Sequence, residues 1–251
     1  PPSPHPPISP SLHPPIPPPL FPSPSRAFHL PYKSALKGIA VSLHAIAPKL
    51  PQSETADKLL VMLHGWGANA NDLAGLATYL DLPGYRLCFP DAPFAHPQVP
   101  GGRMWYGFPL GYDFRSPPDF ATQSDLQASR QRLIDWLKDT TEAINIPLSR
   151  TVLAGFSQGG AMTLDVGPQL PLAGMMILSG YLHGALQPAS SVAPVLMVHG
   201  RHDPVVPLAM AQAAQATLID QGVSVQYHEI NMGHEVQPEV LTLMQRFCED
   251  L

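Results

Sequence analysis

The chain has 251 residues, of which 45% are hydrophobic, and a formal net charge of −5; this suits one domain and offers no basic field to nucleic acid or anionic lipid. Only Cys88 and Cys248 are present, which excludes a disulfide framework and a CxxC zinc or redox site and accommodates a reducing, cytoplasmic compartment. No apolar run reaches the roughly 18 residues of a membrane span, and the proline-rich start lacks the order of a secretory signal. The first residue is not Met, so an upstream signal stays open, and oligomeric state is not legible.

Residues 1–25 hold 13 prolines and no charged residue. Proline fixes φ and supplies no N–H, so this tail is expected to be extended or disordered. Its PxxP spacing suits an SH3-like groove, but a spacer without a partner is the simpler reading.

Residues 26–251 read as one globular domain. KLLVML (58–63) is a buried-strand run, followed by helical spacing over 71–80. YRLCF (85–89) is a strand, and residues 122–143 form the longest helical pattern, with Leu126, Leu133, Ile134 and Leu137 on one stripe. RTVLAGF, AGMMILSG, APVLMVHG and VSVQYHEI are four further strands. Helical patterns follow at QGGAMTLDVG, at 208–222 closed by Gly222, and at PEVLTLMQRFCEDL. Strands that are apolar on both faces and alternate with helices predict an α/β fold, a mostly parallel sheet covered on both sides. Functional sites in such sheets gather at the carboxyl ends of the strands.

GFSQGG lies between a predicted strand and a predicted helix, the setting of a G-x-S-x-G nucleophile elbow. Gly155 and Gly159 flank Ser157 where a Cβ would collide with neighbouring elements. The N–H of Gln158 then faces the same point as the serine and can receive an oxyanion. A glycine-eased turn without chemistry is the competing reading of these six letters. An elbow serine needs a base and an orienting acid, in the order Ser, Asp, His, each after a strand. Asp203 in HGRHDPVVP and His234 in NMGHEV fill both places. Each alone could be a turn or surface residue; their arrival in order favours a triad. His199, His202 and His228 fit the base position less well, and Ser179 follows a strand but lacks the flanking elbow glycines. No metal site is expected, since Pro238 interrupts any zinc helix after His234-Glu235.

HGWGANAND (64–72) is a second glycine-containing strand-to-helix turn. Gly65, Gly67 and Ala70 fit a relaxed dinucleotide fingerprint with Asp91 near the next strand end. That competing reading is a nicotinamide- or flavin-binding protein, and it leaves Ser157, Asp203 and His234 without a role. In the hydrolase reading the same loop lies beside the elbow, the N–H of Trp66 is the second oxyanion donor, and His64 is structural. Met104, Trp105, Tyr106 and Phe108, with Trp66, are candidates for an apolar substrate pocket, against a plain packing role.

Taken together, HGWG, PDAPxxHPxxPGGRMWY, GFSQGGAM, LSGYL, HGRHDPVVP and NMGHEV resemble the phospholipase/carboxylesterase family of α/β-hydrolases over about residues 35–250. The resemblance implies a compact sheet without a large cap domain. It implies Ser157 as nucleophile, Asp203 as acid, His234 as base, and an oxyanion hole from the backbone of Trp66 and Gln158. It implies hydrolysis of a small acyl ester or thioester without cofactor. A short-to-medium-chain carboxylesterase is the leading expectation, with a lysophospholipase or acyl-protein thioesterase as the alternative and a non-catalytic binder on the same scaffold as the remote one. Trp66 stands where acyl-protein thioesterases commonly carry a smaller aliphatic residue, which turns the expectation away from long-chain lipids. Gly167-Pro168 predicts an early stop of the helix after the elbow, and the proline-rich tail is outside the family pattern.

Overall fold

A computed structural model describes residues 43–48, 55–108, 112–114, 120, 122–186 and 193–251. The tail expected over 1–25, and the start of the globular region at 26, lie outside the described residues.

The elements in chain order are β1 (Ala45–Ile46), β2 (Lys58–Leu63), α1 (Ala70–Ala74), β3 (Tyr85–Pro90), β4 (Phe94–Ala95), β5 (Arg103–Met104) and α2 (Ser124–Ala143), then β6 (Thr151–Phe156), α3 (Gln158–Val166), β7 (Gly174–Leu178), β8 (Val195–Gly200), α4 (Leu208–Asp220), β9 (Val225–Ile230) and α5 (Pro238–Glu249). Among the described residues, seven strands form one sheet in the order β1-β3-β2-β6-β7-β8-β9, and β4 and β5 pair separately as a small hairpin. Only β1 runs antiparallel in the large sheet.

Side chains alternate across a strand, so a strand buried on both sides feeds two cores. Leu59, Val61, Leu63, Leu153, Met175, Ile177, Val195 and Met197 enter one core with residues of α2, α3 and α4. Leu60, Met62, Val152, Ala154, Met176, Leu178, Leu196 and Val198 enter the other with residues of α1 and α5. This is the sheet that the continuous apolar runs predict. Cys88 lies in the first core and Cys248 in the second, both as free thiols.

The chain leaves β2 to lay β3 on one side, then returns to lay β6 on the other. The segments after β2 and β6 therefore diverge: one leads to α1 on one face, the other to α3 on the opposite face. A crevice at such a switch point is where an open α/β sheet binds ligands.

Three local expectations are adjusted. The helix expected over 71–80 is α1 followed by a 3-10 stretch, Gly75–Tyr79. β1, β4 and β5 have two residues each, too few for a period to reveal. The helix after the elbow stops at Val166, as Gly167-Pro168 predicts. A Cβ on Gly167 would stand 2.3 Å from Met175 Sδ, so a larger residue there would require the Met175 side chain to shift.

Candidate active site

Ser157 joins β6 to α3 with φ 54° and ψ −116°, a conformation that non-glycine residues rarely hold. The glycines around it permit the turn. A Cβ on Gly155 would lie 2.1 Å from the Gly159 oxygen, and one on Gly159 would lie 2.2 Å from the Leu63 oxygen. The strained residue is pinned at both ends: its N–H donates to Leu178 O at 2.8 Å, and its carbonyl accepts from Ala161 N at 3.0 Å. Ser157 keeps 9% exposure, whereas Ser179, also at positive φ after a strand, is wholly buried. Only the first can meet a substrate without rearrangement.

Asp203 follows β8 and His234 follows β9. Their loops touch backbone to backbone, since a Cβ on Gly200 would lie 2.3 Å from Gly233 O. Asp203 Oδ1 accepts the N–H groups of Val205 and Val206, each at 2.8 Å. Its Oδ2 lies 2.7 Å from His234 Nδ1. An ionised carboxylate only accepts, so Nδ1 carries the proton and Nε2 is left as the acceptor. That Nε2 lies 2.9 Å from Ser157 Oγ. The Phe156 ring backs the imidazole at a centroid distance of 4.8 Å. Burial alone would raise the Asp203 pKa, but the hydrogen bond and charge of His234 and the two loop N–H groups outweigh it and hold the carboxyl below its usual range. The group stays ionised, as an orienting acid must.

Two neighbouring histidines make hydrogen bonds to backbone. His64 donates from Nδ1 to Gly65 O at 2.7 Å and accepts the Ala92 N–H at Nε2 at 3.0 Å. Burial lowers its pKa, so it stays neutral and structural. His199 donates from Nε2 to Val206 O at 2.9 Å. It too is held neutral by burial, and it ties β8 to the loop that presents Asp203. His202 pairs with Asn231 at 2.7 Å.

The HGWG loop runs against the elbow. A Cβ on Gly65 would stand 3.4 Å from the Ser157 Cβ. The Trp66 side chain is 41% exposed. Its ring meets the edges of His96 and Phe108 at centroid distances of 4.0 and 5.7 Å. Gln158 opens α3, so its N–H has no acceptor within the helix.

The candidate pocket divides. Trp105 and Tyr106, named with Met104 and Phe108 as pocket candidates, are completely buried. Met104 and Phe108 are half-buried, and Phe108 stacks on Tyr112 at 4.9 Å.

The turn that mimics a dinucleotide fingerprint is occupied by the chain itself. Asn69 Oδ1 accepts the N–H groups of Asn71 and Asp72, and Asp72 accepts that of Asn69. Asp91 accepts the Ala70 N–H at 2.7 Å and bonds His44 Nδ1 at 2.8 Å. The helix start that a pyrophosphate would use is already capped, and the carboxylate that a ribose would use is already engaged.

One cluster has no signal in the sequence. Arg130 pairs with Asp165, His183 lies 3.2 Å from Asp165 and 2.7 Å from the Tyr106 hydroxyl, and that hydroxyl lies 2.5 Å from that of Tyr181. The members come from distant segments, and no spacing rule joins them. Among the described residues no group of three or more His, Cys, Asp or Glu is placed to hold a metal ion, and no helix is long and apolar enough to cross a membrane.

Comparison with known proteins adds independent information. The sequence pattern of the phospholipase/carboxylesterase family matches residues 46–251. Acyl-protein thioesterase 1 homolog 1 of Dictyostelium discoideum is 30% identical over 172 residues, covering 64% of this chain and 75% of that protein. Esterase YpfH of Escherichia coli is 27% identical over 190 residues, covering 72% and 77% of the two chains. Among solved structures, esterase PE8 superposes with a TM-score of 0.74 at 28% identity, covering 83% of this chain and 98% of that one.

Proposed function

The chain belongs to the phospholipase/carboxylesterase family, with the α/β-hydrolase fold, and is a carboxylesterase- or acyl-protein-thioesterase-like hydrolase; on that premise we propose that it is a serine hydrolase of short to medium acyl esters, working through Ser157, His234 and Asp203. The observation that carries this reading is the unbroken chain from Ser157 Oγ to His234 Nε2 at 2.9 Å and from His234 Nδ1 to Asp203 Oδ2 at 2.7 Å.

The chemistry follows from these positions. His234 Nε2 takes the Ser157 proton as Oγ attacks the acyl carbonyl, and Asp203 stabilises the imidazolium and holds its tautomer. Charge collects on the carbonyl oxygen, for which the N–H groups of Gln158 and Trp66 are the donors in this reading; one such donor is typically worth roughly 10²–10³ in rate. His234 then protonates the leaving alcohol or thiol. It next takes a proton from water, which attacks the acyl-serine and frees the acid. Every proton that leaves Ser157 or water passes through one nitrogen.

The preference for shorter acyl groups rests on Trp66, whose large side chain stands at the rim of the site against His96 and Phe108. Acyl-protein thioesterase relatives support a second reading in which the leaving group is a thiol. We further propose that residues 26–251 are the hydrolase domain, that residues 1–25 are an appended tail, and that the enzyme works in the reducing cytoplasm, where buried free thiols such as Cys88 and Cys248 persist.

A fluorophosphonate probe tests the class: it is expected to label Ser157 in the parent protein and not in Ser157→Ala, which also loses ester hydrolysis. No label and no change in hydrolysis would overturn the enzyme reading. A series of p-nitrophenyl esters of rising chain length, with a thioester and a lysolipid, tests the substrate. Activity that peaks on long acyl chains would overturn the short-chain preference.

A further inference from the structure

Two donors that act on one oxygen must keep their spacing to a few tenths of an ångström. Here they sit on segments that diverge: Gln158 opens α3 on one face of the sheet, and Trp66 lies in the loop that leads to α1 on the other. Something must span that divergence.

The dipeptide Trp105-Tyr106 does so. Its first N–H donates to Gln158 Oε1 at 2.9 Å, and its second carbonyl accepts from Gln158 Nε2 at 2.7 Å. The two bonds fix which end of the carboxamide is oxygen. The Trp105 indole Nε1–H donates to His64 O at 3.0 Å, two residues ahead of Trp66. His64 is itself fixed by the Ala92 N–H. The hydroxyl of Ser129 on α2 donates to Trp105 O. The far end of the dipeptide is also tied to α3, because the Tyr106 hydroxyl reaches Asp165 through His183. The three bonds, from Trp105 to Gln158, from Gln158 to Tyr106 and from Trp105 to His64, are all buried. A carboxamide 1% exposed is costly where a methionine would fill the same space, unless its polar ends are used.

We propose that the Gln158 carboxamide and the Trp105 indole N–H are positioning groups that set the distance between the two oxyanion donors, an inference that rests on the serine-hydrolase reading above. Neither side chain touches the substrate. Both act through the peptide N–H groups of Gln158 and Trp66, which the side-chain substitutions leave in place.

The test uses Gln158→Met, which keeps chain length and the backbone N–H, and Trp105→Phe, which keeps an aromatic ring and removes the donor. Active sites are counted by fluorophosphonate labelling carried to completion, which corrects for any unfolded fraction. Removing a donor outright typically costs roughly 10²–10³, so displacing one is expected to lower kcat per active site by about tenfold or more, with KM changed by no more than about twofold. Affinity for a trifluoromethyl ketone, which adds to the serine to form an oxyanion, is expected to weaken by the same factor. The double variant is expected to lose less than the product of the single losses, because both break one ring of bonds. A merely structural role would lower the number of labelled sites and leave kcat per site and ketone affinity alone; that result, in either folded variant, overturns the inference. If one variant fails to fold, the other decides. If both fail, Gln158→Glu decides, since it keeps the acceptor for Trp105 N–H and loses the donor to Tyr106 O. A parent protein that neither takes the probe nor cleaves esters would instead overturn the hydrolase reading itself.

Discussion

Ser157 concentrates the cost of the site in one residue. Its positive φ is held by hydrogen bonds at both sides and by glycines with no room for a methyl group. Gly155→Ala would drive a Cβ to 2.1 Å from backbone oxygen. Backbone cannot yield as a side chain can, so a loss of at least about 1–3 kcal/mol is expected, together with loss of probe labelling. Thermal unfolding and fluorophosphonate labelling of the variant check both. Asp203→Asn is nearly isosteric and acts otherwise. It removes the carboxylate that selects the His234 tautomer, and kcat is expected to fall by about 10⁴ while the fold is kept. Steady-state kinetics beside a thermal melt separate the two effects.

Among the elements, α1 shows how a short helix is made to start where the site needs it. It has five residues, too few to be stable alone. The reciprocal bonds of Asn69 and Asp72 and the acceptance of the Ala70 N–H by Asp91 satisfy its first turn. Asn69→Ala is expected to cost about 1 kcal/mol, or about 2–4 °C in Tm for a domain of this size. The catalytic distances do not pass through this cap, so kcat/KM is expected to hold. A melt and an ester assay on one preparation check it. The letters GANAND favour a helix start equally well with a ligand or with their own side chains at the N-terminus; the tertiary placement of Asp91 chooses the second.

For the molecule as a whole, two part-buried carboxylates, Asp165 and Asp203, contribute to the response to acid. Burial would raise the Asp165 pKa, but His183 and Arg130 lower it further, and Asp203 is likewise depressed. A depressed carboxyl binds its proton less tightly folded than unfolded. Its contribution is therefore complete above the unfolded value of about 3.9 and is lost as pH falls through the lower folded value. The urea midpoint is expected to rise with pH from roughly pH 2 to 5, and Asp165→Asn is expected to flatten that rise; denaturation curves across the range measure it. The family match starts at residue 46, and every core and site residue described here lies at or beyond Leu43. Deleting residues 1–25 is accordingly expected to leave Tm and kcat/KM unchanged.

Six strands, β2, β3 and β6 to β9, and the order Ser157, Asp203, His234 past successive apolar runs were legible in the letters of the chain. Those are local properties: a period of two, a glycine at a fixed offset, a residue just past an apolar run. Trp105 and Tyr106 were equally visible as letters, yet a loop aromatic reads alike whether it faces a ligand or the core. Their burial, the tautomers of His64 and His199, the bonds of the Gln158 side chain and the link from Arg130 to Tyr181 were decided only by the tertiary structure. Each depends on which peptide or side chain arrives from a distant segment, as when Gln158 meets Trp105 across 53 residues and His234 meets Ser157 across 77. Periodicity orients a side chain toward the core; only the folded neighbours determine whether a polar atom there finds a donor, an acceptor or a substrate.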